Sequence, residues 1–240
     1  MASSSRHELE FGDPAVFDRN RTPHHKDMLL SEMSFYTVIN ASSLIGWIVL
    51  GTAAFALRGW TPSESWHGLA LIGVVLASMI VGSIITTKFR SWKVSALAYL
   101  GLIAAPLGLL FGPYVLDVGG KNMAYPLLAT TALTVIMTLI GRAIPADLEQ
   151  KSFGVMIVLL LSMYVTVLFV AVTSGTSTGV MIIMAVIGIV IFSLGLVYNA
   201  NRSKFVPKTL GNAVHIGMQN FLETVNIVLR LAQIFRRVHS

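Results

Sequence analysis

Cysteine is absent from this chain, which removes disulfides, thiolate nucleophiles and cysteine-ligated metals from consideration. Charge is scarce as well. Asp, Glu, Lys and Arg make up 12% of the 240 residues, against about 25% in ordinary soluble domains. No P-loop, no Gly-rich dinucleotide loop opening a soluble helix and no HExxH pair occurs, so the sequence offers none of those catalytic signatures and no enzyme or cofactor is expected. The first 32 residues hold no apolar run of the kind that marks a secretory signal. Six acids there (Glu8, Glu10, Asp13, Asp18, Asp27 and Glu32) also argue against a basic, acid-poor transit peptide.

What is abundant is apolar surface, at 55% of residues. A soluble core of this size cannot hide that much, so the lipid bilayer is the expected solvent for part of the chain. The net charge of +6 does not point to nucleic acid, because the basic residues form no single patch and sit between apolar runs.

A membrane-spanning helix needs about 20 mostly apolar residues. Seven stretches qualify: 33–57, 68–87, 94–114, 124–141, 153–173, 179–198 and 213–235. They predict an all-α integral membrane protein with a polar tail at 1–32 and a seven-helix domain over 33–240. Twelve Lys and Arg fall on the side of the N-terminus, from Arg6 to Lys208, whereas the opposite loops hold Arg58 and Lys121. The charge bias puts the N-terminus on the cytoplasmic or matrix side. The seventh segment is read as a full span. A re-entrant course is the alternative, since it would return Arg236 and Arg237 to the positive side.

Pro106 and Pro113, with Gly108 and Gly112 between them, predict a kinked third helix closely approached by a neighbour. Tyr198, Asn199 and Asn201 read as an ordinary helix end: an interfacial aromatic and amides, followed by basic residues. His24 and His25 lie in the tail without further ligands, and no metal-ligand set is identified.

The last apolar segment is unlike the others, because HIGMQNFLETVNIVLR (215–230) carries polar residues at regular spacing. At about 100° per residue, His215, Gln219, Glu223, Asn226 and Arg230 fall on one stripe about 80° wide, with Asn212 just before the span on the same stripe. Most of the remaining surface is aliphatic or aromatic, with Asn220 and Thr224 as exceptions. A carboxylate at mid-bilayer costs about 2.5–3.5 kcal/mol on insertion scales, so such groups pair, take up a proton or line a pathway. Two readings stand: a hydrogen-bonded seam that fixes packing, and a site handling protons or cations.

Helices six and seven resemble the Bax inhibitor-1 family, in particular its bacterial YccA-like branch. The residues that carry the likeness are Tyr198-Asn199-Ala200, where the family has a Tyr-Asp-Thr type motif, and Phe221-Leu222-Glu223-Thr224-Val225-Asn226, where it has an aromatic-Leu-Asp-x-x-Asn motif. SALAYLG (95–101), TTALTVIM (130–137) and DLEQKS (147–152) fit in the same order. The resemblance implies six helices around a central seventh, and a pH-sensing ion leak channel for calcium in which two facing acids share a proton. It places Asn199 and Glu223 at those two acidic positions, so one acid is replaced by an amide. Two acids a hydrogen bond apart titrate together, whereas a lone carboxylate titrates by itself.

The expected function is therefore a proton-sensitive cation leak, with Glu223 as the titrating group and Asn199 as its partner. Lys88 and Arg90 stand as possible counter-ions at the positive-side mouth. The alternative is a non-transporting subunit of a larger membrane protein complex, such as a membrane protease whose regulation the family is tied to or a respiratory assembly, docked through the tail. The expected location is a bacterial plasma membrane, with the mitochondrial inner membrane as the alternative.

Overall fold

Helix formation over the apolar runs is dictated by lipid, which leaves backbone N–H and C=O groups no partner except one another. The computed structural model describes residues 28–56, 65–88, 92–109, 111, 123–148 and 178–238. These form α1 (Glu32–Ala56), α2 (Ser65–Lys88), α3 (Trp92–Leu109), α4 (Ala124–Ala143), α5 (Thr178–Phe205) and α6 (Leu210–Val238). Four of them, α1, α3, α4 and α5, are long and apolar enough to cross a membrane. The stretch 153–173, expected to span, lies outside the described residues, as do Arg90 and the histidines of the tail.

Helix directions follow from which residues meet. A Cβ added to Gly217 of α6 would collide with the Ile39 carbonyl of α1, and one on Gly46 of α1 would strike the Phe221 ring of α6. Residue numbers rise together along both contacts, so α1 and α6 run parallel. Tyr99 of α3 donates its hydroxyl hydrogen to the Met218 carbonyl (3.2 Å), while Gly108 lies under the Leu50 carbonyl and Ala53. Helix α3 therefore points the same way. Helices α4 and α5 run opposite: Tyr125 at the start of α4 stacks on Phe235 near the end of α6, and Gly188 in α5 meets Arg230. Helix α6 packs against α1, α3, α4 and α5.

Small residues make these approaches possible, as they do wherever helices meet without a hydrophobic drive between them. Gly108, Gly141 and Gly217 use one device: each sits against a carbonyl of the neighbouring helix and the small side chain three residues further on, Ala53, Ala200 and Ser42 respectively. Gly108 is the close approach that its place beside Pro106 predicts. The helical geometry also loosens before that proline. Residues Leu100–Ala104 form a π-helical segment, and the Ala105 N–H donates to the Leu100 carbonyl five residues back. Pro106 has no N–H to give, which removes one rung of the normal ladder at this place.

Helix α5 does not end at Tyr198. It continues to Phe205, because no breaker intervenes before Pro207, and this makes Asn201 an interior residue. The Asn201 side chain is fully buried and closes the end of α4. Its Oδ1 accepts from the Leu148 N–H (3.0 Å), and its Nδ2 donates to the carbonyls of Gly141 (3.3 Å), Ile144 (3.1 Å) and Ala146 (3.0 Å). Lys204 adds its ammonium to the Arg142 (2.9 Å) and Ile144 (2.5 Å) carbonyls, a cation at a helix C-terminus where the dipole favours it. The expected ordinary helix end is thus a capping device for the neighbouring helix.

The beginnings of α1 and α6 are tied together at this same end. Leu30 donates to Lys208 (2.7 Å) and Leu210 to Met28 (3.0 Å) around the isolated Leu29–Thr209 bridge. The Lys208 ammonium bonds the Ser203 and Lys204 carbonyls and lies over the rings of Phe35 and Tyr36. Burial holds that ammonium below the usual lysine range; Glu32 opposes the shift and Arg142 adds to it.

Candidate functional site

Helix α6 is the most amphipathic of the described helices, and its two faces meet different neighbours. One face holds Val214, Met218, Phe221, Val225, Val228 and Ala232, all buried in a core with Leu50, Tyr99 and Ile103. Phe221 meets Trp47 and Tyr99 edge-to-face, with centroids 5.6 Å and 5.5 Å away. Thr224, an exception on the sequence wheel, is buried here and accepts the Trp47 indole N–H (3.2 Å) while donating to the Phe221 carbonyl (2.8 Å).

The polar stripe faces α5. A Cβ on Gly195 would stand 2.5 Å from the Glu223 Oε1, and one on Gly188 would stand 3.0 Å from the Arg230 Nε. The two glycines are seven residues apart, as are the carboxylate and the guanidinium they seat, so both pairs repeat at two helical turns. Only residues without a side chain leave room for these groups between helices so closely packed. Glycine in α5 thus plays a part in the site that the wheel of α6 alone does not reveal, although the Gly188–Gly195 spacing was available in the sequence.

The remaining stripe residues are placed as follows. Asn199 is buried in α5 one turn beyond Gly195, and the antiparallel register sets it opposite Gln219. The residue directly against the carboxylate is therefore Gly195. The Gln219 Oε1 is buried without a hydrogen bond. Asn226 donates back to the Leu222 carbonyl (2.8 Å), and Arg230 donates through Nη1 to Gln233 (3.1 Å). His215 is half-buried near the start of α6 and feels the charge of Arg202 on α5. The Asn212 amide donates to the Pro207 carbonyl (2.9 Å), and its backbone N–H donates to the Thr209 Oγ1 (3.2 Å). Lys88 is the last residue of α2, and the side chains of both proposed counter-ions, Lys88 and Arg90, lie outside the described residues.

No group of three or more His, Asp or Glu that could hold a metal ion occurs among the described residues. Residues 175–179, Gly-Thr-Ser-Thr-Gly, have the G-x-S-x-G spacing of a hydrolase nucleophile. That motif works at a strand-to-helix turn; here Thr178 and Gly179 begin α5, and 175–177 lie outside the described residues.

Described residues that form helices and no strand, four of those helices long and apolar enough to cross a bilayer, and a carboxylate and a guanidinium set between two of them define a multi-pass helical membrane protein. No protein-family model matches the chain, and no curated protein sequence is similar to it.

Proposed function

We propose that this protein is a proton-sensitive leak for small cations, calcium among them, in which Glu223 is the titrating group. The observation that carries the reading is the Glu223 carboxylate itself, held between α5 and α6 against the bare backbone of Gly195. An acid at membrane depth is costly and marks ion or proton handling by default. The resemblance to the Bax inhibitor-1 family points the same way. With Asn199 in place of a second acid, the switch is a single carboxylate that is an anion or neutral according to pH. Gln219, opposite Asn199, brings a buried oxygen without a partner to the same interface.

Seven spans with α6 as the central one is the architecture that best fits this function. Helices α1, α3 and α6 run one way and α4 and α5 the other, so one further crossing between Leu148 and Thr178 completes an alternating set. Leu148 is bonded to Asn201, and Thr178 lies 23 residues before it in the same helix, about 35 Å away at 1.5 Å per residue. The unbroken 29 residues of α6 favour a full span over a re-entrant course. The basic ends of α4 and α5, with Arg142, Arg202 and Lys204, support an orientation with that end and the start of α1 facing the cytoplasm or matrix.

The test is flux in liposomes. Purified protein should pass calcium with a rate that changes across about pH 5–8, and Glu223→Gln should abolish the pH dependence while leaving the melting temperature nearly unchanged. Flux no greater than in empty liposomes rejects the leak and favours the alternative of an accessory subunit, for which co-purification of a stoichiometric partner in mild detergent is the readout.

A further inference from the structure

Helices α1 and α4 both pack on α6 but scarcely on one another, and the gap between them is a cleft of about 340 Å³. Its floor is Thr224 and Val228 of α6, and its walls include Trp47 of α1 and Leu127, Thr131 and Val135 of α4. The lining is mostly apolar, and Leu127 and Val135 at its border are 42% and 54% exposed, so the cleft opens sideways into lipid. Leu127 to Val135 is about 12 Å of helix at 1.5 Å per residue, which gives the cleft a mean cross-section of about 30 Å². That is room for one hydrocarbon chain and too little for a further helix, about 10–12 Å across.

The cleft has a charged end. Seven residues beyond Val135, about 10 Å nearer the basic end of the bundle, the exposed Arg142 of α4 reaches across to α1, where its guanidinium lies 4.2 Å from the centre of the Tyr36 ring. The Lys208 ammonium is 5.6 Å from the centre of the same ring. Where α1 and α6 start and α4 and α5 end, the described chain carries the cations Arg142, Arg202, Lys204 and Lys208 against the acids Glu32 and Asp147. Lys204 and Lys208 donate their ammonium hydrogens to backbone carbonyls. Arg142 forms no ion pair among the described residues, and a guanidinium stacked on an aromatic ring still presents its N–H edge to an anion.

We propose that the α1–α4 cleft is a binding site for one anionic phospholipid, whose phosphate meets Arg142 beside Tyr36 and whose acyl chain runs down the cleft past Trp47. A chain entering at Arg142 passes Val135 after about 10 Å and Thr131 after about 16 Å, which spans the half-thickness of a hydrocarbon core, about 15 Å. A net positive cluster at the membrane surface favours an anionic headgroup over a zwitterionic one, and a free phosphate gains nothing from the apolar cleft. The site lies on the α1–α4 side of α6, away from the Glu223 face, and stands or falls independently of the leak.

Trp47 is a natural reporter, because it lines the cleft. The full-length protein with Trp60→Phe, Trp66→Phe and Trp92→Phe is reconstituted in phosphatidylcholine vesicles, and its remaining fluorescence is quenched with lipids brominated at mid-chain. Brominated phosphatidylglycerol should reach half-maximal quenching at a mole fraction at least about fivefold lower than brominated phosphatidylcholine. Arg142→Gln should remove most of that preference and Arg142→Lys keep most of it, which separates lost charge from a folding defect. Equal quenching by the two lipids means ordinary boundary lipid and overturns the proposal, as does a preference that survives Arg142→Gln. Quenching by neither means that protein covers the cleft, which also overturns it. A preference abolished by inorganic phosphate, but not by chloride of equal ionic strength, means a free-anion site and overturns the lipid assignment. Without the tryptophan changes, native mass spectrometry carries the same comparison: the protein should retain one phosphatidylglycerol, and Arg142→Gln should lose it.

Discussion

The two long faces of α6 solve opposite problems. Toward α1 and α3 the helix is locked by shape: Phe221 is fully buried between Trp47 and Tyr99, and Gly217 lies directly under a backbone carbonyl of α1. Toward α5 it is cut away, so that glycines leave space for the ends of two long polar side chains. A backbone contact cannot yield, whereas the end of a Glu or Arg side chain can rotate. The first face fixes where α6 stands, and the second leaves charged groups room to change state. A rigid seat beside an adjustable one suits a helix that carries a titrating group.

Four substitutions probe that contrast. The largest effect is expected for Phe221→Ala, which empties the centre of the aromatic cluster and should cost about 3–5 kcal/mol of unfolding free energy. Next comes a matched pair. Gly217→Ala drives a methyl into the α1 backbone and should cost about 1–3 kcal/mol, whereas Gly195→Ala displaces only the Glu223 carboxylate and should cost about half of that or less. Gly195→Ala should instead shift the pH dependence of flux. If the two glycine variants are equally destabilised in denaturant titrations, the α5 face is as rigid as the other and the contrast fails. The smallest effect is expected for Trp47→Phe. It keeps a ring against Phe221 and loses the hydrogen bond to Thr224, about 1 kcal/mol, visible as a small drop in melting temperature.

Much of this was legible in the residues. Periodicity alone put His215, Gln219, Glu223, Asn226 and Arg230 on one face, because an α-helix repeats every 3.6 residues whatever surrounds it. It did not say which helix that face meets, since a wheel has no neighbours. Asn201 shows the limit most clearly. In sequence it belongs to a polar helix end, yet its amide closes a different helix some sixty residues earlier. Likewise Arg142 is one basic residue among many until the Tyr36 ring of α1 comes against its guanidinium. The resemblance set Asn199 across from Glu223, but the register of α5 against α6 puts Gly195 there.

By itself, then, the sequence determined the solvent and the secondary structure: too little charge and too much apolar length for anything but helices in lipid, where the backbone must satisfy its own hydrogen bonds. Tertiary structure alone decided which polar groups are seated, capped or left open. Those outcomes depend on contacts between residues far apart in the chain, and on where a missing Cβ lets one helix approach another.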